Sequence, residues 1–408
     1  MGHHTVFNDN TMLNEATYNR TQKIALVFAV VGLGASFAGL FGIFGGGEEI
    51  HHQFYFSQLT AFAFFMTLSL GGLFFTILHH LVRASWSTSL RRIAENLAMN
   101  IPLMLIFAGI LATGFGDLYH WTHIDPAEDP IFNVKKGYLD TSFFTVRTIA
   151  FFGLWVAMAF FFRKTSVAQD GTTDVSASES LSFKMRKWAP LSMLAFALSL
   201  TFFAFDWLMS LDPHWFSTMF GVYIFAGMVV SLFATLIVIT LWLTRNGNLT
   251  NTITIGNFHD AGKLMFGFIV FWTYITFSQY YLIWYANIPE EIGWYMHRAH
   301  GGWEKIGMLI AFGHFIFPFW VTMSRHVKRN RLVIGLAAGW MLIMHFFDLY
   351  FVIMPTHHNH LHFHWLDLTT MLGTGGAFVL GFLYWCKKDA IVAHKDPQLI
   401  ASMEYDNV

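Results

Sequence analysis

Ten predominantly apolar stretches follow one another along this 408-residue chain, each long enough to carry a helix across about 30 Å of hydrocarbon. No other feature of the sequence restricts the fold as much. The stretches lie near residues 23–45, 56–83, 97–116, 141–163, 188–210, 217–244, 264–286, 304–324, 331–353 and 365–386. In lipid every backbone N–H and C=O needs a partner, and only helices or closed barrels provide one for each group. Barrel strands are short and alternate in polarity, whereas these runs are continuous and long. We therefore expect an all-α polytopic membrane protein with ten transmembrane helices. The expected membrane domain covers 23–386, between a cytoplasmic N-terminal segment 1–22 and a cytoplasmic C-terminal tail 387–408.

Charge and cysteine content narrow the chemistry. Only 12% of residues are charged, against 55% hydrophobic, and the net charge is −1, which argues against a nucleic-acid partner. Cys386 is the single cysteine. It cannot form an intramolecular disulfide, hold a four-thiolate iron–sulfur cluster or supply a C-x-x-C-H haem attachment.

Basic residues set the orientation, because Lys and Arg are retained on the cytoplasmic side of short loops. Nineteen of them, from Arg20 and Lys23 to Lys388 and Lys395, fall on one side of the ten spans. Five remain on the other: Lys135, Lys136, Arg147, Arg298 and Lys305. This places both termini in the cytoplasm and agrees with an even number of spans. The polar first 22 residues run into the first span without a small-residue cleavage site, so no removable signal peptide is expected. The polar stretch Lys164–Lys187 reads as an inner loop.

A charged side chain near the bilayer centre costs roughly 2.5–3.5 kcal/mol on insertion scales, so those present usually face a bundle interior or water. Three Asp/His pairs spaced by three residues occur at outer helix ends: Asp117 with His120, His345 with Asp348, and His364 with Asp367. Residues three apart share a helix face, where a carboxylate can fix an imidazole tautomer. Asp206, Asp212 and His214 lie at the turn between the fifth and sixth spans. This surface suits proton release or uptake near pH 7, and the same residue types also serve as helix caps. The run His357–His364 lies in a loop without fixed ligand spacing, so no metal site is expected there.

Deeper in the membrane lie His314 and a stripe on the seventh span formed by Tyr274, Ser278, Tyr281 and Tyr285. Together they would carry a proton by hydrogen-bonded steps, or serve as interhelical glue. At the inner face His79, His80, Arg83, Glu95 and Lys263 would gather protons. A rise of about 1.5 Å per residue offsets His314 and His345 in depth by about 6 Å, a poor match for a shared haem. No intrinsic haem or copper is expected.

Residues Phe205 to Gly221, including Asp206-Trp207-Leu208-Met209-Ser210-Leu211-Asp212-Pro213-His214-Trp215, carry a family resemblance. So do Phe271 to Glu291 and His314 to Pro318 with Ser324-Arg325. The chain resembles the smaller, quinone-binding-type membrane subunit of alternative complex III, the bacterial quinol:cytochrome c oxidoreductase unrelated to the cytochrome bc complex. The resemblance covers essentially the whole chain. It implies a polysulfide-reductase-like fold, with spans two to five and six to nine as two four-helix bundles flanked by the first and last helices. It further implies a larger homologous membrane subunit, an iron–sulfur subunit, multihaem and monohaem cytochrome c subunits, other small membrane subunits, lipid and a terminal oxidase as partners. Haem c and iron–sulfur clusters would then reside in those partners, with quinone or quinol near this chain and proton conduction through it. Locally, Pro213 also explains the motif as a helix end, since the residue before a proline disfavours continuing the helix.

Two other readings compete with a respiratory subunit in the bacterial inner membrane. One is an independent secondary transporter, although no paired helix interruptions mark a midplane ion site. The other is a purely architectural anchor.

Overall fold

The computed structural model describes residues 9–43 and 47–404. Ten helices in it are long and apolar enough to cross a membrane: α1 (Glu15–Leu40), α2 (Gly47–Val82), α3 (Thr88–Ala112), α4 (Thr141–Asp170), α5 (Val175–Leu211), α6 (Phe220–Arg245), α7 (Ile255–Ala286), α8 (Trp303–Met323), α9 (Arg331–Thr356) and α10 (Trp365–Lys388). The protein is an all-α polytopic membrane protein, and no strand occurs among the described residues.

Helices α2 to α5 close one ring, each packing on the next and α5 returning to α2, and α6 to α9 close a second. The rings meet where α2 and α5 pack on α6, and where α2 packs on α9. Helix α2 is buried from Gln53 through Ile77, as expected of a helix apolar on all sides. Within that buried stretch the polar side chains find partners, as when the Gln58 amide donates to Thr374 of α10 at 3.0 Å.

Helices α1 and α10 form a pair outside both rings, resting on α2. Small residues bring their backbones together: a Cβ added to Gly32 would lie 2.3 Å from the Gly373 nitrogen, and one on Gly376 would lie 2.3 Å from the Ala29 nitrogen. Without a hydrophobic drive between helices in lipid, such close packing is what holds them.

Several helices outrun the apolar runs that announced them. The stretch Lys164–Lys187, expected as a loop, is instead the end of α4 and the start of α5, joined by a turn at residues 171–174. Gln169 explains the extension, since its amide donates to Ser178 and Ser182 and so ties the two polar helix ends together. Described residues on either side of the membrane domain are also packed. Asp9 accepts from the backbone of Asn251 and Thr252 between α6 and α7. Past α10, Asp389 pairs with Arg163, Asp396 with Arg91, and Ser402 donates to the Trp86 carbonyl. Residues 389–404 thus cover the basic end of the first ring, within what the sequence offered as a tail.

Candidate functional site in the second helix ring

Six side chains from five helices converge inside the second ring. Helix α9 contributes His345 and Asp348, three apart and therefore on one face, both almost wholly buried. Tyr223 of α6 donates its hydroxyl to Asp348 Oδ1, and Trp272 of α7 donates its indole N–H to Oδ2 at 3.2 Å. The Trp272 ring stacks on His314 of α8 at 3.8 Å between centroids. Thr67 of α2 touches the cluster from the first ring, its hydroxyl 2.9 Å from His345 Nε2.

The hydrogen-bond directions fix the state of His345. Thr67 has one hydroxyl proton and donates it to the Phe64 carbonyl at 2.7 Å, so its oxygen accepts from His345. The neutral imidazole therefore carries its proton on Nε2 and presents a bare lone pair at Nδ1. Nδ1 has no protein partner, nor does either ring nitrogen of His314.

A distortion of α8 positions His314. Residues Ala311–Ile316 form a π-helical turn, a widening often found at functional sites. Pro318 lacks an N–H and cannot bond the carbonyl four residues back, which belongs to His314. Trp340 of α9 donates to the neighbouring Gly313 carbonyl at 2.7 Å, satisfying one group that the wide turn releases.

The expected tyrosine stripe does not join this cluster. Tyr274, Tyr281 and Tyr285 are 64%, 44% and 74% exposed on the outside of α7, with Ser278 half-buried beside them. The inward face of α7 is instead Trp272, Ile275, Gln279 and Ile283. Gln279 accepts from Ser217 at 2.9 Å and donates to the Tyr295 hydroxyl at 3.0 Å.

At the histidine-rich end, the three expected Asp/His pairs meet three different outcomes. Asp117 faces His51 and His52 of α2, 3.2 and 3.5 Å away. His120 lies beyond the helical turn Phe115–Leu118, exposed, because the backbone turns extended at Tyr119. Asp348 bonds to Tyr223 and Trp272 as above, with His345 turned to Thr67. His364 and Asp367 form a capping box at the start of α10. Asp367 also accepts from Gln53, Ser57 and Tyr350, so it joins α2, α9 and α10. Beside it a cleft of about 450 Å³ is lined by Phe64, Ile343, Phe347, Phe363 and Met371, with His364 and Asp367 at its polar edge.

The turn residues of the familiar motif do not form one site. Asp206 points into the first ring and takes two hydrogen bonds from Arg147. Asp212 accepts from the backbone N–H groups of His214 and Trp215, and the His214 ring meets Asp129 at 2.6 Å. Backbone and imidazole hydrogen bonds hold the Asp129 carboxyl below its usual range.

At the basic end, His79 and Glu95 belong to a buried ion network. Arg91 donates to Glu95 Oε1 at 3.0 Å, to Asp396 at 2.6 Å and to His79 Nε2 at 3.2 Å. Arg92 reaches Glu95 Oε2 and Asp170, both at 3.0 Å. Burial raises the Asp396 carboxyl, but the charge and hydrogen bond of Arg91 together with the backbone N–H of Gln398 outweigh it and keep this group below its ordinary value. His80 stacks on Phe162. Lys263 stands apart on α7, paired with Asp260 at 3.0 Å. The network reads as a clamp, because each acid in it already holds an arginine.

Sequence reasoning missed Tyr223, Trp272, Thr67 and Arg147 as partners. Only Arg147, a charge inside an apolar run, carried a signal. Among the described residues no three His, Cys, Asp or Glu side chains converge as metal ligands. No protein-family model matches the chain, and no curated protein matches its sequence.

Proposed function

We propose that the chain is a membrane subunit of a bacterial respiratory quinol:cytochrome c or oxidase oxidoreductase, and that the Asp348 cluster is its proton-exchanging site. The observation that carries this reading is the convergence of Asp348, His345 and His314 inside a helix ring, with three imidazole nitrogens lacking protein partners. Ionisable groups inside a membrane mark proton or ion pathways more often than structural glue. A carboxylate with two strong donors, beside imidazoles with free nitrogens, can take and return a proton without rearranging the backbone.

The resemblance supplies the respiratory setting: quinol is oxidised at the histidine-rich face, and electrons pass to haem c and iron–sulfur clusters in partner subunits. The basic end then faces the cytoplasm, as does each terminus. We assign a quinone-proximal wall to the cleft bounded by Phe347, His364 and Asp367, whose apolar lining suits an isoprenoid tail.

Affinity purification of the tagged chain from its native membrane tests the assembly. The proposal expects c-type haem absorbance and an iron–sulfur signal in the purified material. A chain that purifies without them and moves a solute in lipid vesicles overturns it in favour of a transporter.

A further inference from the structure

Gly227 of α6 faces the cluster one helical turn from Tyr223. A Cβ placed on it would lie 3.4 Å from Asp348 Oδ2 and 3.4 Å from His345 Nδ1. Both atoms therefore border one small space, which the missing side chain leaves clear of protein.

Both are also acceptors. Nδ1 carries a lone pair because Nε2 holds the proton toward Thr67, and Oδ2 keeps a lone pair beyond the one used by Trp272. Two acceptors facing one space cannot satisfy each other. A single species with two donors satisfies both, and a buried water with polar partners is the smallest such species. We infer that Gly227 is a water-binding position, holding one molecule that donates to His345 Nδ1 and to Asp348 Oδ2.

This water makes the pair a proton relay. When a hydronium proton from bulk water is passed to His345 Nδ1, leaving water behind, the imidazolium becomes the donor and the bound water accepts from it. The Nδ1–H bond then breaks as a water O–H forms, a second water O–H breaks, and the proton ends on Asp348 Oδ2. The imidazole is neutral again and the water is regenerated, so nothing is consumed. The inference rests on the reading of the Asp348 cluster as a proton-exchanging site.

The test uses the full chain in its native assembly in lipid, with infrared difference spectra recorded across a pH step and repeated in heavy-oxygen water. The wild-type protein should show an internal-water O–H band that shifts with the heavy isotope. Gly227→Ala places a methyl at ordinary contact distance, so the fold survives while the water site is filled. It should lose the band and slow proton exchange by about a hundredfold, the scale of a lost positioned proton-transfer group. Gly227→Ser should recover much of the exchange without the water band, its hydroxyl standing in for the water. An unchanged band and unchanged exchange in Gly227→Ala overturn the inference. Asp348→Asn separates the two ideas: if it exchanges protons normally the cluster reading itself fails, and if it alone is slow only the water fails.

Discussion

Arg147 and Asp206 are joined by two hydrogen bonds of 2.8 and 2.9 Å between α4 and α5, with the carboxylate wholly buried. The guanidinium also meets two aromatic rings, 4.0 Å from the centroid of Tyr138 and 4.2 Å from that of Phe143. Removing one member of such a pair leaves an uncompensated charge and costs about 3–5 kcal/mol. Arg147→Leu should therefore lower thermal stability in detergent sharply. Arg147→Leu with Asp206→Leu should regain most of the loss, since it strands no charge.

Thr67 fixes the His345 tautomer from the neighbouring ring. Thr67→Val keeps the shape and removes the acceptor of the Nε2–H, leaving a buried donor unsatisfied at about 1–3 kcal/mol. The expected outcome is a folded protein whose proton exchange is slowed and whose pH profile is displaced. Thr67→Ser should behave as wild type in both measurements.

The seam between α1 and α10 admits no side chain at Gly32 or Gly376. Gly376→Val would drive a branched side chain into the Ala29 backbone, an overpacking typically costing about 1–3 kcal/mol. Since α1 is otherwise largely exposed on the outside of the bundle, it should detach first. Protease accessibility of the α1 region should rise while the two helix rings stay folded.

The loop before α10 should respond to acid. Burial first, then repulsion from His358, His52 and His364, lowers His357 to about 4, and His358 and His364 are lowered as well. Groups depressed in the folded state bind protons more readily once unfolded, so stability falls as pH drops from about 6.5 toward 4. Glu49 and Asp367 oppose the effect in part at His358 and His364. Hydrogen exchange across residues 354–364, corrected for intrinsic rates, should show protection lost in that window and retained above pH 7.

The ten spans were legible because lipid leaves the backbone few choices, and Asp348, His345 and His314 because polar groups there are costly. The direction of each face was not legible. In a helix apolar on all sides, Tyr274 and Tyr281 look as useful as Trp272 and Gln279, and only packing separates exposed from buried aromatics. The π-turn of α8 shifts the register around His314 in a way that no periodicity announces. The partners of Asp117 and Asp206 come from other helices, His51 and His52 from α2 and Arg147 from α4, so spacing within one helix pointed to the wrong imidazole for Asp117. Helix ends past the apolar runs were hidden because the polar residues that build them, such as Gln169 and Ser182, resemble a loop in composition.

The most direct test of the central claim is the number of protons moved per electron when the proposed quinol-oxidising assembly, carrying Asp348→Asn, turns over in sealed vesicles. The account predicts that quinol oxidation continues while proton movement across the membrane falls to a small fraction of the wild-type ratio. A wild-type ratio in the variant would contradict it.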